Sequence, residues 1–500
     1  MQTELVLPDQ GEQRRSSLLL WLVVLFLGSA ALGAWFLIGP ALGAGTRYYK
    51  VGYNRTAYEY SRALIALFAP YGLALYSWHR GARIPLWVLL GGAAVLHLLV
   101  LFAPLPQSQD LYQYLFYGRM QAVHHANPFV VNPSTFWADP WFPWIRWNAQ
   151  ASVYGPAWIL LSFGVSKVAG SSLAVAFVNL KVIILAMDAT VVWLLYRLAA
   201  DRPDPEGSAG WSVLAYAWNP LVLITVPLAG SADVAVVAAF LGAMLARRRG
   251  RTGIATVLLT LASLVKVYAV IGLILHLVLV LRERGVRRSA QNSAGAAALI
   301  ALAYAPYWAG RSTFHGLVQA AGLRNQSFTG TVERLLIRPG LLALGYHTPT
   351  RGSQLIGRWA AGAILLAVAV WAIAKVRDEQ TLWHGIVAVL MAYLLLTPWF
   401  LYWYILGPLA VAVVIPRNRL TYPLLTFSAT ALITVYFPSR PTLWAVQTIL
   451  RYAPPFAVYA AQGWPERARI TLREGAVLSI PHPAPTPSPA PVMARRAPAK

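Results

Sequence analysis

A chain of 500 residues, 58% hydrophobic and only 12% charged, has the composition of neither a soluble enzyme nor a disordered segment. Its net charge of +24 sits in short arginine clusters between apolar runs, as positive-inside bias produces, and without any motif that reads DNA or RNA, nucleic acid is excluded as a partner. Having no cysteine, the chain is also excluded from disulfide, thiolate and zinc-thiolate chemistry.

In chain order, residues 1–16 form a polar cytoplasmic segment ending on Arg14 and Arg15, and an apolar run over 17–40 is the first expected membrane span. A second span over 57–77 returns to the basic turn His79, Arg80 and Arg83, and a third over 86–103 delivers the chain to the outside. A polar and aromatic loop over 104–156 follows. Beyond it, 158–165 is apolar but short, and 172–197 is apolar but interrupted by Lys181 and Asp188. The alternation of basic clusters favours one span there plus a short re-entrant or interfacial helix.

The span at 211–227 reaches the outside at Gly230-Ser231-Ala232-Asp233, and the next one ends on Arg247, Arg248, Arg249 and Arg251, a cytoplasmic flag. The apolar stretch 254–281 has basic clusters at both ends. Two spans with a break near Lys266 are therefore expected, with the lysine at the outer side. A span over 294–308 leads to a second outer loop, 310–353, carrying Arg311, His315, Arg324, Glu333, Arg334 and His347. The remaining spans turn outside at Thr397-Pro398-Trp399 and inside at Arg417 and Arg419. The total is about 13 or 14 membrane segments within residues 17–462, an all-α polytopic membrane protein in a lipid bilayer. Residues 463–500, rich in Pro, Ala and Arg, read as a disordered cytoplasmic tail.

The first outer loop is denser in polar groups than a connector requires. Asp110, one of only 17 carboxylates, is followed by Tyr112, Tyr114, Tyr117, Arg119, His124, His125 and Asn127. Topology places Asp110, Asp233, Lys266 and the Pro398-Trp399 turn on one face of the membrane. Each has an ordinary alternative: the aspartates as helix caps, the lysine snorkelling, the aromatics as interface anchors. A lysine at a break in an apolar stretch nevertheless requires an anion or water, because an unpaired charge there costs several kcal/mol.

Glycosyl transfer from a lipid phosphate suits such a set. One carboxylate, Asp110, deprotonates the acceptor hydroxyl, and Lys266, helped by Arg119 or Arg334, neutralises the leaving phosphate. Tyr112, Tyr114 and Trp137 offer faces for sugar rings. His124 and His125 are adjacent, a poor spacing for joint ligation, so no metal site is expected. A transporter or lipid flippase is the rival reading, weakened by the lack of repeat symmetry, and an inactive assembly subunit is the third.

The run Asp110-Leu-Tyr-Gln-Tyr with Tyr117-Gly118-Arg119, then Asn127-Pro128-Phe129 and Tyr154-Gly155-Pro156-Ala157-Trp158, resembles the first outer loop of the polyprenyl-phosphate-mannose-dependent α-mannosyltransferases of the GT-C superfamily. The likeness continues through Trp218-Asn219-Pro220, the Gly230–Asp233 turn, Ser263-Leu264-Val265-Lys266 and Pro398 to Trp403. It implies a GT-C fold, Asp110 as the catalytic base and inverting transfer of a hexose, mannose by the resemblance. The donor would be a polyprenyl-phosphate sugar and the acceptor a glycan or glycolipid outside the plasma membrane, with no separate cofactor. Tyr112, Tyr114, His124, His125, Asn127, Tyr154, Asp233, Trp399 and Tyr402 are then the candidate substrate-binding residues. In two places the sequence departs from the family pattern: the turn reads Gly-Ser-Ala-Asp instead of Gly-His-Asn-Asp, and Thr397 precedes Pro398-Trp399 where the family has histidine.

Overall fold

The computed structural model describes Phe26 and residues 53–101, 110–200, 208–325, 327–416, 418–435 and 443–462. The expected amino-terminal segment, nearly all of the first span and the carboxy-terminal tail lie outside the described residues. Within them the chain is helical, and the one extended pairing is an isolated bridge between Ala309 and Arg311.

The helices used below are α1 (Tyr53–His79), α2 (Leu86–Leu101), α3 (Asp110–Ala122), α4 (Pro156–Ala169), α5 (Leu173–Ala199), α6 (Ala209–Ala217), α7 (Pro220–Leu223), α8 (Asp233–Arg248), α9 (Thr252–Val265) and α10 (Val270–Tyr304). They continue with α11 (Pro349–Lys375), α12 (Glu379–Leu396), α13 (Leu406–Val413), α14 (Thr421–Val435) and α15 (Trp444–Gln462). Among the described residues, α5, α11 and α12 are long and apolar enough to cross a bilayer unaided, and the bent pair Ala209–Ala217 and Pro220–Leu228 makes a fourth. Shorter apolar helices include α2, α4, α9 and α14.

Helix ends follow local sequence. Ser172, Ser208 and Asn219 accept hydrogen bonds from the first turns of α5, α6 and α7, and Asp378 forms a capping box with Thr381 at α12. At Asn219-Pro220 the proline sits at the first helical position, and the chain bends by 54° there. Beyond α7 the helix widens into a π turn over Ile224–Leu228. The carbonyls of Pro227 and Leu228 accept from the Lys181 ammonium, so the lysine that interrupts α5 is satisfied by the backbone. The other interruption, Asp188, pairs with His97 of α2 at 2.8 Å and accepts from Tyr216 at 3.3 Å.

One expected boundary is reduced to a single residue. The basic cluster Arg282 to Arg288 marks an expected turn between two helices, and the helical stretch α10, Val270 to Tyr304, is broken within it. The whole turn is condensed into Gly285, at φ 77° and ψ 176°, a conformation open to glycine because it has no Cβ.

The core lies around α8, which packs between α5, α9 and α13 and buries most of its length. The loop over 104–156 is itself folded: α3 is laid along α4, with 3-10 turns at Pro133–Phe136 and Phe142–Trp144 beside it. Gly118 permits that approach, since a Cβ there would stand 2.1 Å from the Ser162 carbonyl oxygen. The second loop contains the short helices His315–Ala321, Phe328–Val332 and Arg338–Ala343. Its middle is stitched to the end of α12. The Asn325 side chain bonds both the amide and the carbonyl of Phe400, and Ser327 and Thr329 donate to Pro398 and Leu396.

Candidate functional site

Helical periodicity sorts the polar residues of α3. Asp110, Gln113, Tyr114 and Tyr117 recur at three- and four-residue steps and share one face; Tyr112 and Arg119 point elsewhere. Trp147 donates its indole N–H to Asp110 Oδ1, and Tyr154 its hydroxyl to Oδ2, each at 3.3 Å. Gln113 fixes the tryptophan by accepting from its amide at 3.1 Å and donating to its carbonyl. Tyr154 in turn packs edge-on against Tyr114, with ring centres 4.7 Å apart.

Facing Asp110 is the break between α9 and α10. Gly155 anchors the loop there, its amide donating to the Val265 carbonyl at 2.9 Å. The lysine that follows donates to an aspartate: Lys266 Nζ lies 2.6 Å from Asp233 Oδ2, with Asp233 wholly buried at the start of α8. Tyr268 donates to the other carboxylate oxygen at 2.6 Å, and Ser231 Oγ to Oδ2 at 2.7 Å. Lys266 therefore has the anion that its place in an apolar stretch requires. The ammonium also stands 5.6 Å from the ring centre of Tyr154 and 5.2 Å from that of Tyr404, and Tyr393 closes the aromatic wall behind it. The turn that carries Asp233 is locked to α3, because at Gly230, φ 70°, a Cβ would lie 2.2 Å from Leu111 Cδ1.

Burial pushes the Asp110 carboxyl above the ordinary carboxylate value, against the lowering pull of the Lys266 charge and of its Trp147 and Tyr154 partners; the Asp233 charge adds to the rise. A carboxylate held away from water, a cation beside it and flat aromatic faces around both make a site able to accept a proton and stabilise a developing anion.

The expected residues divide between places. Asp110, Tyr114, Tyr154, Asp233 and Lys266 come together, and Trp399 joins them by packing edge-on against Trp147 at 5.8 Å. Arg119 does not. Its Nε donates to Asp139 at 2.7 Å, and its guanidinium lies 4.5 Å from the Trp141 ring centre. His124 shares that aspartate at 2.8 Å. Burial tends to raise the Asp139 carboxyl, but the Trp141 amide, Arg119 and His124 together hold it below its ordinary value.

Tyr112 packs on Trp144 and on Phe177 of α5, and Arg334 covers Trp444. Tyr402 packs against Trp403, and it is Tyr404, two residues on, that faces the lysine. His125 and Asn127 lie beyond the far end of α3. Gln113, Trp147, Tyr268, Tyr393 and Tyr404 pack around Asp110 and Lys266, and the sequence did not single them out. The one available signal was the three-residue step from Asp110 to Gln113. In the departures from the family pattern, the replacement residues close the turns locally: Ser231 binds Asp233, and Thr397 Oγ1 donates to the Trp399 carbonyl at 3.1 Å.

Alpha-(1->6)-mannopyranosyltransferase A of Mycobacterium tuberculosis (strain ATCC 25618 / H37Rv) is 27% identical over 355 residues, which cover 66% of this chain and 66% of that protein, just under two thirds of its length. The MptA_B family, described as alpha-(1->6)-mannopyranosyltransferase, N-terminal domain, matches residues 10–282, a segment that holds Asp110, Asp233 and Lys266. With more than half of its length matched in this way, the chain belongs to the alpha-(1->6)-mannopyranosyltransferase family.

Proposed function

We propose that the chain transfers a hexose, mannose by its relatives, from a polyprenyl-phosphate donor to a hydroxyl of a glycan or glycolipid on the outer face of the plasma membrane, with inversion. The observation that carries the reading is the buried Asp110 carboxyl facing the Lys266–Asp233 pair within an aromatic wall. Asp110 takes the acceptor proton as the acceptor oxygen attacks the anomeric carbon from the side opposite the phosphate. The bond from that carbon to the phosphate oxygen breaks, and the polyprenyl phosphate departs with the electron pair. A phosphate needs no proton to leave, so a single carboxylate suffices.

Lys266 receives the charge that grows on the phosphate, and Asp233 and Tyr268 hold the ammonium-bearing segment in place. Arg119, committed to Asp139, positions the loop instead of binding donor. The second outer loop supplies further cations, Arg334 and Arg324. Arg324 lies next to Asn325, which binds Phe400, and is 3.5 Å from Glu333. Apolar helices beside the site would take the prenyl tail.

Asp110→Asn keeps the shape of the side chain and removes its basicity. It is expected to lower turnover by about a hundred- to ten-thousand-fold with donor affinity retained, read by radiolabelled transfer and donor binding on purified protein. Transfer at close to the parental rate would move the base elsewhere.

A further inference from the structure

A cavity of about 350 Å³ lies at the end of α3 away from Asp110. Its walls include Gln121 and the turn after α3 with His125 and Asn127, Phe163 and Lys167 of α4, and Tyr307 beyond α10. We propose that it is a subsite for acceptor sugars remote from the one that reacts, an inference that rests on the transferase reading above.

Position is the first support. α3 and α4 run side by side in the same direction, as the pairs Asp110 with Tyr154, Tyr114 with Trp158, and Gly118 with Ser162 show. One end of this pair holds the carboxylate and the other holds the cavity. The helical rise separates them by roughly 18 Å, a distance that several linked hexoses span.

Chemistry is the second. The Asn127 side chain donates to the Tyr307 carbonyl at 2.8 Å and accepts from the Phe129 amide, and the Tyr307 hydroxyl donates to Gln121 at 3.0 Å. These bonds fix the wall. They leave the Gln121 amide N–H groups, the His125 ring and the Lys167 ammonium without a protein partner among the described residues. The lining contains no carboxylate, and the rings of Phe163 and Tyr307 add apolar surface, so hydroxyl-rich rings with apolar faces are matched on both counts. His125 is also the one non-glycine residue with positive φ, at 50°, among those described. That backbone costs energy in a residue with a Cβ and is retained where its surroundings require it.

The test uses the full chain in nanodiscs and α-linked manno-oligosaccharides from disaccharide to octasaccharide as acceptors. The parental protein is expected to favour the longer acceptors through a lower KM. In Gln121→Ala/Lys167→Ala the ratio of kcat/KM for octasaccharide over disaccharide should fall by about tenfold, the scale of one or two hydrogen bonds. Phe163→Ala should lower the same ratio by removing ring contact. A parental enzyme indifferent to length, or variants that keep the preference, overturns the subsite. A preference that survives in neutral nanodiscs and responds to the variants only with anionic lipid assigns the cavity to a lipid headgroup and overturns it equally. If no acceptor is elongated at all, the transferase reading has failed. Octasaccharide binding measured by saturation-transfer NMR then decides the cavity separately, and binding unchanged in the double variant rejects it.

Discussion

Asp110 and Asp139 lie in the same folded loop with opposite electrostatics. The Asp110 carboxyl is raised by burial, so in the folded chain its ionisation is opposed, and the stability contributed by its protonated form is complete below the unfolded value and lost as pH rises through the folded one. A base must be ionised to act. The acid limb of the transfer rate is therefore expected above the ordinary carboxylate value of about 3.9, with activity falling as pH drops through the raised value. A pH profile of kcat/KM checks this, and a limb at or below the ordinary value would contradict it.

Asp139 is held low by its partners, so its contribution to stability is present above the unfolded value and lost as pH falls through the folded one. Asp139→Ala leaves the buried Arg119 unpaired, a loss of about 3–5 kcal/mol. Thermal unfolding should show a large drop for Asp139→Ala and none for Asp110→Asn. A base at Asp139 would instead give an Asp139→Asn protein that is stable and inactive.

The sequence singled out residues that come together in the fold where types are rare. Carboxylates and lysines are few in this chain, so Asp110, Asp233 and Lys266 stood out, and the basic clusters placed them together. It failed where types are common. With 24 tyrosines and 20 tryptophans, nothing local separates Tyr404 from Tyr402, or Trp147 from Trp144, and the choice is made by partners far along the chain. Arg119 was assigned to phosphate by its charge alone. Its nine-residue step from Asp110 puts it on the opposite face of α3, where Asp139 takes it.

At the scale of elements, glycine decides how closely the loop helices approach the spans. Gly155 is the case with the most to lose: a Cβ there would stand 2.1 Å from the Leu264 carbonyl oxygen, two residues before Lys266. Backbone on both sides leaves no flexible side chain to yield. Gly155→Ala is expected to destabilise by about 1–3 kcal/mol and to lower kcat by separating Asp110 from Lys266. Measured together, unfolding temperature and kcat should both fall; an unchanged kcat would show that the contact does not set the spacing of the two groups. Most expected spans recur as helices, because apolar length is the strongest signal in such a chain. The break at Lys266 was also readable, from the basic clusters on both flanks, whereas the bend at Asn219-Pro220 falls inside a stretch expected as one span. The turn at Arg282 to Arg288 was readable from its basic cluster, and Gly285 supplies it.

For the molecule as a whole, the arrangement of arginines predicts that the 104–156 loop faces outward and the turn between α8 and α9 inward. A chain without cysteine allows a direct measurement. Ser134→Cys, at an exposed position in the first loop, should react with an impermeant maleimide added to intact cells, whereas Arg249→Cys should react after the membrane is opened. The reverse pattern would place the carboxylate site on the cytoplasmic side.

The Lys266–Asp233 contact also bears on how the chain enters the bilayer. Asp233 opens α8 and Lys266 follows α9, so the two charges stand at the same end of one antiparallel hairpin whose other end carries Arg247, Arg248, Arg249 and Arg251. Translocated singly, either helix would carry an unmatched charge at its leading or trailing end. Translocated as a pair, they pass with that charge cancelled between them, while the arginine turn stays behind. The bond that holds the lysine beside Asp110 in the finished protein is thus expected to make α8 and α9 one insertion unit during synthesis.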